Sequence, residues 1–320
     1  MDEHDRRILG ILMKDSRTPL TEISKRTGLS RFAVRERIER LFEAGIILGS
    51  TVVVNSAKVG ISRTVFFELK TNPHEPWLAK MLEGYSSCDL LDGLAGEFSL
   101  LARFRLVNDE HFNATLKKVD DAMGKSYFKK YRVVNAIKIF KESGVALRTH
   151  AKEFPKVDKV DLKLLEILLN QADYVKSPLP LSTVELSKQL CKFGTEISQP
   201  AVFNRLSRLE SNGIILGYTL KLDYHRLGLL AKFIIRIKAN PNAYDTAADN
   251  HLASMPQIFD LYRTGEEYGL LATVRVRDIP EYNSFLLRLY DSSDLIDTYS
   301  TLVLEERKAS PVVFEPQVVN

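Results

Sequence analysis

Gly45-Ile46-Ile47-Leu48-Gly49 recurs unchanged as Gly213-Ile214-Ile215-Leu216-Gly217. The same kind of helix precedes each copy. Ser30-Arg31-Phe32-Ala33-Val34-Arg35-Glu36-Arg37-Ile38-Glu39-Arg40-Leu41 lines up with Ser198-Gln199-Pro200-Ala201-Val202-Phe203-Asn204-Arg205-Leu206-Ser207-Arg208-Leu209. Downstream, Gly60 through Asn72-Pro73 corresponds to Gly228 through Asn240-Pro241 at the same offset. A repeat this long means two copies of one module, and each copy tests the reading of the other.

Upstream, Ile8, Leu9, Ile11 and Leu12 recur at helical spacing within Asp5 to Lys14. Thr18-Pro19 opens a second short helix with Leu20 and Ile23 inward, and Gly28 closes it. Ser30 caps the third helix and Gly45 stops it. Three short helices with a tight glycine-containing turn predict a helix-turn-helix, and the β-branched run Ile46 to Val54 predicts a wing strand. The second copy starts at Asp161, with a longer loop over Gln171 to Pro180 and extra residues between Ser187 and Ser198.

A different pattern follows each wing. Thr64 to Leu69 and Lys232 to Ile237 read as strands, each running on to an Asn-Pro. A helix, two strands around a Gly-Glu turn, a second helix and a last strand complete a β-α-β-β-α-β order, the ferredoxin-like arrangement. The expected fold is therefore α+β, in two tandem repeats. Winged helix-turn-helix units occupy residues 1–55 and 160–223, and ferredoxin-like domains occupy 60–142 and 228–308. Residues 143–159 read as a basic linker, flanked or occupied by Lys141, Arg148, Lys152, Lys156 and Lys159, and 309–320 as a tail.

Bulk properties set outer limits. At 320 residues, 45% hydrophobic and 27% charged, the chain is ordinary for a folded protein of several domains. Its net charge of +4 permits a nucleic-acid partner without demanding one. Cys88 and Cys191 have no CxxC or histidine neighbour, so both read as core residues in a reducing compartment. The acidic start Met1-Asp2-Glu3-His4-Asp5 is unlike a signal peptide, and no apolar run is long enough to cross a bilayer. A cytoplasmic location is expected, with no membrane partner.

This organisation resembles the Lrp/AsnC (feast/famine) family of transcription regulators. The resemblance rests on Ser30, Val34, Arg37, Leu41, Gly45, Ile46, Ile47 and Gly49, on their second copies, and on the Gly-Glu turn. It covers nearly the whole chain, twice. It implies a double-stranded DNA partner, pairing of the ferredoxin-like domains and a small effector held at subunit interfaces. A tandem chain looks like a dimer fused into one polypeptide, and a homo-oligomer, a dimer in the first instance, is expected.

On the first recognition helix, Val34, Ile38 and Leu41 share one face, leaving the opposite face to polar groups. Arg31 and Arg35 are placed to read guanine, and Phe32 to touch a thymine methyl. Lys25, Arg26, Ser30 and Arg40 suit phosphates, which set register but carry no sequence information. In the second copy Ser198, Gln199, Asn204 and Arg208 hold the corresponding places, beside Pro200 and Phe203. Gln and Asn pair with adenine, so this copy either reads a different half-site or serves as a structural partner.

The family's turn reads Gly-x-aromatic-Asp, and its Asp helps hold an effector amine. Here Gly96-Glu97-Phe98-Ser99 and Gly265-Glu266-Glu267-Tyr268-Gly269 lack that Asp. Gly96, Glu97, Gly265 and Glu266 remain the effector candidates, and the response is expected not to run through the usual acidic residue. The siroheme decarboxylases share the tandem architecture and carry a His-Asn-Tyr-x-x-Arg-like strand. The nearest stretch, Phe259-Asp260-Leu261-Tyr262-Arg263, keeps Tyr and Arg but no His. General acid-base work needs a group tuned near neutrality, and His4, His74, His111, His150, His225 and His251 fall outside the paired strands. The reading is thus a regulator rather than an enzyme, with no cofactor or metal; an enzyme of that class and a pure interaction module are the alternatives.

Finally, one face of each sheet must be hidden. Leu90, Leu94, Leu101 and Phe104, or Phe259, Leu261, Leu271 and Val274, are expected to supply that apolar surface and to pair the sheets.

Overall fold

Asp2 and Asp158 begin the two repeats in the same way. Each is an N-cap in a reciprocal capping box, with Asp5 and Asp161 as the third helical residues. The computed structural model describes residues 1–147, 157–291 and 294–309. The first repeat runs α1 (Glu3–Lys14), α2 (Leu20–Thr27), α3 (Arg31–Glu43), β1 (Ile47–Val54), β2 (Arg63–Lys70), α4 (Pro76–Glu83), β3 (Cys88–Ala95), β4 (Leu100–Leu106), α5 (Asp109–Lys125), β5 (Lys130–Glu142) and β6 (Val145–Ala146). The second runs α6 (Lys159–Leu169), α7 (Gln171–Tyr174), α8 (Thr183–Lys192), α9 (Gln199–Ser211), β7 (Ile215–Leu222), β8 (Ala231–Ala239), α10 (Tyr244–Asn250), β9 (Ile258–Thr264), β10 (Leu270–Val276), α11 (Ile279–Leu289) and β11 (Leu295–Ala309).

These elements form two compact units that cut across the repeats. One holds both helix-turn-helix copies, and the other holds both ferredoxin-like copies.

In the helix-turn-helix unit, the strand expected as a wing of its own copy pairs instead with its counterpart. β1 and β7 run antiparallel, with Thr51 opposite Thr219. A lone strand leaves its backbone groups unpaired, and the second copy supplies the missing partner. The exchange extends into the cores. Leu220 and Leu222 of β7 are buried among Ile8, Leu9 and Ile38 of the first copy. Val52 and Val54 of β1 are buried among Leu164, Leu165 and Val202 of the second. Each such leucine or valine removed from water is worth about 1.5–3 kcal/mol, so neither copy completes its core alone.

Two cations at equivalent positions repeat this reciprocity. Arg226 donates to the Ala44 carbonyl at the end of α3 (2.6 Å), and Lys58 donates to Asn212 at the end of α9 (2.7 Å). Each recognition helix thus has its negative C-terminal dipole met by the other repeat. Gly45 makes room for this: its φ is +68°, and a Cβ there would lie 3.1 Å from the Arg226 guanidinium.

In the other unit the four-stranded sheets join edge to edge. The order β5-β2-β4-β3-β11-β8-β10-β9 returns to β5 and closes an eight-stranded barrel. Helices α4 and α5 cover one half from outside, α10 and α11 the other, over two separate apolar clusters. A third cluster, with Phe66, Leu94, Leu101, Val134, Ile234, Tyr262 and Leu271, fills the interior. The apolar residues expected on one hidden face are therefore divided. Leu94, Leu101 and Leu271 point inward, whereas Phe104, Leu261 and Val274 lie under the helices. Strand alternation sends neighbours to opposite sides.

Three further expectations change. Lys141, taken as part of a basic exposed stretch, is buried at the end of β5, and Val145–Ala146 pair back onto that strand. Arg148, His150, Lys152, Lys156 and the tail beyond 309 lie outside the described residues. Cys88 is buried, and burial pushes its thiol up to about 12. Cys191, however, is exposed on α8 rather than in a core.

Candidate nucleic-acid interface

The turn before each recognition helix is held by a serine. Ser24 Oγ donates to the Leu29 carbonyl (2.5 Å), and Ser187 Oγ to that of Ile197 (2.6 Å). Gly28, at φ +74°, reverses the chain after α2. Ser30 and Ser198 then cap α3 and α9 through the amides of Ala33 and Ala201. Val34, Ile38 and Leu41 bury the inner face of α3; Val202, Leu206 and Leu209 do the same for α9. What remains outside is the candidate reading surface.

Most of the arginines on these helices do not belong to it. Arg37 contacts Asp2 (2.6 Å) and the buried Asp5 (2.8 Å), and Arg40 reaches Asp5 at 3.0 Å. In the second copy Arg205 contacts Asp158 (2.6 Å) and Asp161 (2.7 Å), and Arg208 pairs with Asp161. Arg40, expected on a phosphate, and Arg208, expected among the DNA-binding residues, are thus tied to the first helix of their own copy. A carboxylate buried at a helix start needs charged partners to replace its water. Asp2 shows the strength of this arrangement. The Asp5 backbone amide and the Arg37 guanidinium hold its carboxyl down to about 2.

Arg31 and Arg35 are different. Both are exposed near the start of α3, without a side-chain partner among the described residues, and Phe32 between them is 77% exposed. Lys25 on α2 is also exposed and, among the described residues, unpaired; Arg26 is exposed but leans on Glu22. On α9 the equivalent surface consists of Gln199, Pro200, Phe203, Asn204 and Ser207, all exposed and uncharged. Two exposed cations of the second copy, Lys188 and Lys192, sit on α8 instead. The structure therefore leaves Lys25, Arg26, Ser30, Arg31, Phe32 and Arg35 exposed in the first copy, and Ser198, Gln199 and Asn204 in the second.

The effector candidates lie at one end of the barrel, around a cavity of about 290 Å³. Glu68, Leu94, Phe98, Arg132, Arg236 and Tyr299 line it, with Glu97, Glu266, Glu267 and Tyr268 from the two turns. Arg132 Nε donates to Glu68 at 2.6 Å, and Arg236 pairs with the same carboxylate. Glu97 is exposed and paired with Lys130 (2.5 Å), which lowers its pKa; Glu266 is half-buried. Gly96 and Gly265 adjoin the cavity without lining it.

Hydrogen-bond register also corrects the turn alignment. Leu94 N bonds Ser99 O, and Thr264 N bonds Gly269 O, each at 2.8 Å. Glu267, not Glu266, is therefore the counterpart of Glu97. Sequence reasoning missed Glu68, Arg132 and Arg236. The available signal was a charge at an inward position of an otherwise apolar strand, Glu68 in Thr64 to Leu69 and Arg236 in Lys232 to Ile237.

Comparison with known proteins places this geometry. The family model for the AsnC-type helix-turn-helix domain matches residues 1–41, and that for the Lrp/AsnC ligand binding domain matches residues 232–313. An uncharacterised HTH-type transcriptional regulator of Pyrococcus abyssi is 34% identical over 152 residues, 98% of its own length and 46% of this chain. The chain belongs to the Lrp/AsnC family. The HTH-type transcriptional regulator LrpA of Pyrococcus horikoshii is 47% identical over 75 residues, 53% of its length and 23% of this chain. Nearly the whole Pyrococcus abyssi relative is matched within less than half of the present chain, in keeping with two family units in one polypeptide. Among solved structures, the siroheme decarboxylase NirDL aligns over 98% of this chain and 94% of its own, with a TM-score of 0.65 and 14% identity. At that identity the likeness is one of fold.

Proposed function

We propose that this chain is a sequence-specific DNA-binding transcription regulator of Lrp/AsnC type, with its main base-reading residues on α3. One observation carries the reading: Arg31 and Arg35 stand exposed at the capped start of α3 without a side-chain partner among the described residues, while Arg37 and Arg40 are held by Asp2 and Asp5. A guanidinium without an internal partner, at the end of a helix that enters the major groove, is placed for guanine. Lys25 and Arg26 serve the phosphates, and Gln199 and Asn204 contribute weaker contacts from the second copy. Titration with duplex DNA at several salt concentrations tests this. Binding that is insensitive to salt, or unchanged in Arg31→Ala/Arg35→Ala, removes the proposal.

The barrel would serve assembly and effector sensing, with the ligand in the cavity beside the two turns. Ser99 and Gly269, where the family's Asp stands, bring no charge, so Arg132 and Glu266 are the groups for a small ligand's ionic ends. At a hundred times its dissociation constant a ligand stabilises by about 2.7 kcal/mol. A thermal-shift screen of the twenty amino acids is therefore informative, and a shift that survives Glu266→Gln and Arg132→Gln would place the effector elsewhere.

A tetrapyrrole decarboxylase is the second reading, favoured by the whole-length likeness to NirDL. Tyr262 would be its central residue, 2.6 Å from Arg103 inside the barrel. Burial drives its phenol far above the usual range, so it can donate but not act as a base at neutral pH. Purified protein with a tetrapyrrole absorption band that loses carbon dioxide would establish this reading instead.

A further inference from the structure

We propose that Glu68 and Arg236 form a pairing code, by which the ferredoxin-like domains of one chain select each other and reject the like domain of a second copy of the chain. The constant offset from Gly60–Pro73 to Gly228–Pro241 makes these two residues equivalents of one another. They are also in direct contact, with side chains only 1% and 9% exposed. Two equivalent positions can touch only where the pseudo-two-fold axis relating the repeats passes between them. In a barrel built from two first-repeat domains, Glu68 would therefore meet Glu68; in one built from two second-repeat domains, Arg236 would meet Arg236. Like charges brought together in a buried site repel strongly; the partly exposed Arg132 beside each Glu68 would offset only part of that, and two Arg236 would meet with no carboxylate between them. Specificity of this kind comes as much from the repulsive alternatives as from the attractive pair.

A second interior pair points the same way. Lys232 contacts Asp92 at 2.7 Å, with side chains 6% and 1% exposed. The repeat offset makes Thr64 the equivalent of Lys232. The strand register makes Tyr262 the equivalent of Asp92, since Asp92 faces Leu101 as Tyr262 faces Leu271. Neither Thr64 nor Tyr262 carries a charge, so this ion pair exists on one side of the axis only.

The seams between the half-barrels behave differently. Lys308 Nζ donates to the Tyr85 carbonyl (2.8 Å) at one seam, and Lys141 Nζ to that of Met255 (2.9 Å) at the other. These interactions repeat on both sides and would form equally well between like domains. Discrimination therefore rests on the axial charges, not on the seams.

Reversing one charge at a time in the full chain tests the code. Glu68→Arg places two arginines at the axis, and Arg236→Glu places two glutamates there. Each variant should melt about 10 °C below wild type. The double reversal Glu68→Arg/Arg236→Glu restores opposite charges and should recover most of that drop, even where the single variants fail to fold. Co-expressed with separate tags, the two single variants should co-purify as a heterodimer that melts near wild type, because exchange of domains re-creates opposite charges in both barrels. Single variants that melt with wild type would overturn the proposal. So would a double reversal no more stable than the singles, or singles that show no mutual rescue.

Discussion

Helices α3 and α9 share a skeleton and differ almost entirely in what they present outward. Both are capped by serine, both bury a valine and two larger aliphatics, and both are braced by two arginines on a buried aspartate of the first helix. Outside, Arg31, Phe32, Arg35 and Glu36 on α3 stand against Gln199, Pro200, Phe203 and Asn204 on α9. Positions that hold the helix in place have thus kept their chemistry in both copies, while those that would face a ligand have diverged. The difference separates arginines that hold the fold from arginines that are free for a partner, although all of them lie within ten residues of one another.

The largest expected effect tests the shared half of that comparison. Asp5→Ala and Asp161→Ala each leave one guanidinium, Arg40 or Arg208, without its carboxylate, and another, Arg37 or Arg205, with only the N-cap aspartate. Removing one member of a buried ion pair costs about 3–5 kcal/mol when the remaining charge is fully buried. These arginines are partly exposed, so less than that is expected, and the two variants should be destabilised by similar amounts in urea unfolding. A large inequality would mean that the brace is not common to both copies.

Acid sharpens the same point. Asp2 is held down to about 2 by its hydrogen bonds. For Asp158, burial works in the opposite direction, but Arg205 and the helix-start amides outweigh it, so its pKa is lowered too. A carboxyl depressed on folding contributes stability above its unfolded value, near 4, and loses it as pH falls toward the folded one. Both caps should therefore weaken as pH falls below about 4, the Asp2 cap down to about 2, seen as a falling melting temperature that Asp2→Asn and Asp158→Asn flatten.

The smallest effect concerns the cations that cross between repeats. Arg226→Ala and Lys58→Ala each remove a charge from the end of the other copy's recognition helix, worth about 0.3–1 kcal/mol. A double-mutant cycle with Ala44 or Asn212 is uninformative, since backbone carbonyls accept these bonds. Amide exchange at the last turns of α3 and α9 is the better measurement, and protection should fall in α3 for Arg226→Ala and in α9 for Lys58→Ala.

Much of this was legible in the sequence, because local signals carried it. The duplicated pentapeptide, the serine caps and the glycine stops mark the two helix-turn-helix copies, and period-two runs mark the ferredoxin-like strands. Long-range pairings were not legible. Nothing local says that Ile46 to Val54 seeks its partner in the other repeat, or that Arg40 turns to Asp5 rather than outward. The Glu97–Glu267 equivalence was hidden by two extra residues that the second repeat carries ahead of β9; the hairpins themselves are equal in length, as the hydrogen-bond register shows. The cavity residues Glu68 and Arg236 lay within apolar strands, and each acquires meaning only when the barrel brings the other against it.

Whether α3 makes the main base contacts and α9 contributes little is open to direct measurement. Wild type, Arg31→Ala/Arg35→Ala and Gln199→Ala/Asn204→Ala are titrated to equilibrium with one duplex from the chain's own promoter region, at two salt concentrations. The first pair should weaken specific binding by about 1–3 kcal/mol for each guanine left unread, and the second by less than about 1 kcal/mol. Equal weakening from the two helices, or a larger effect from α9, would contradict it.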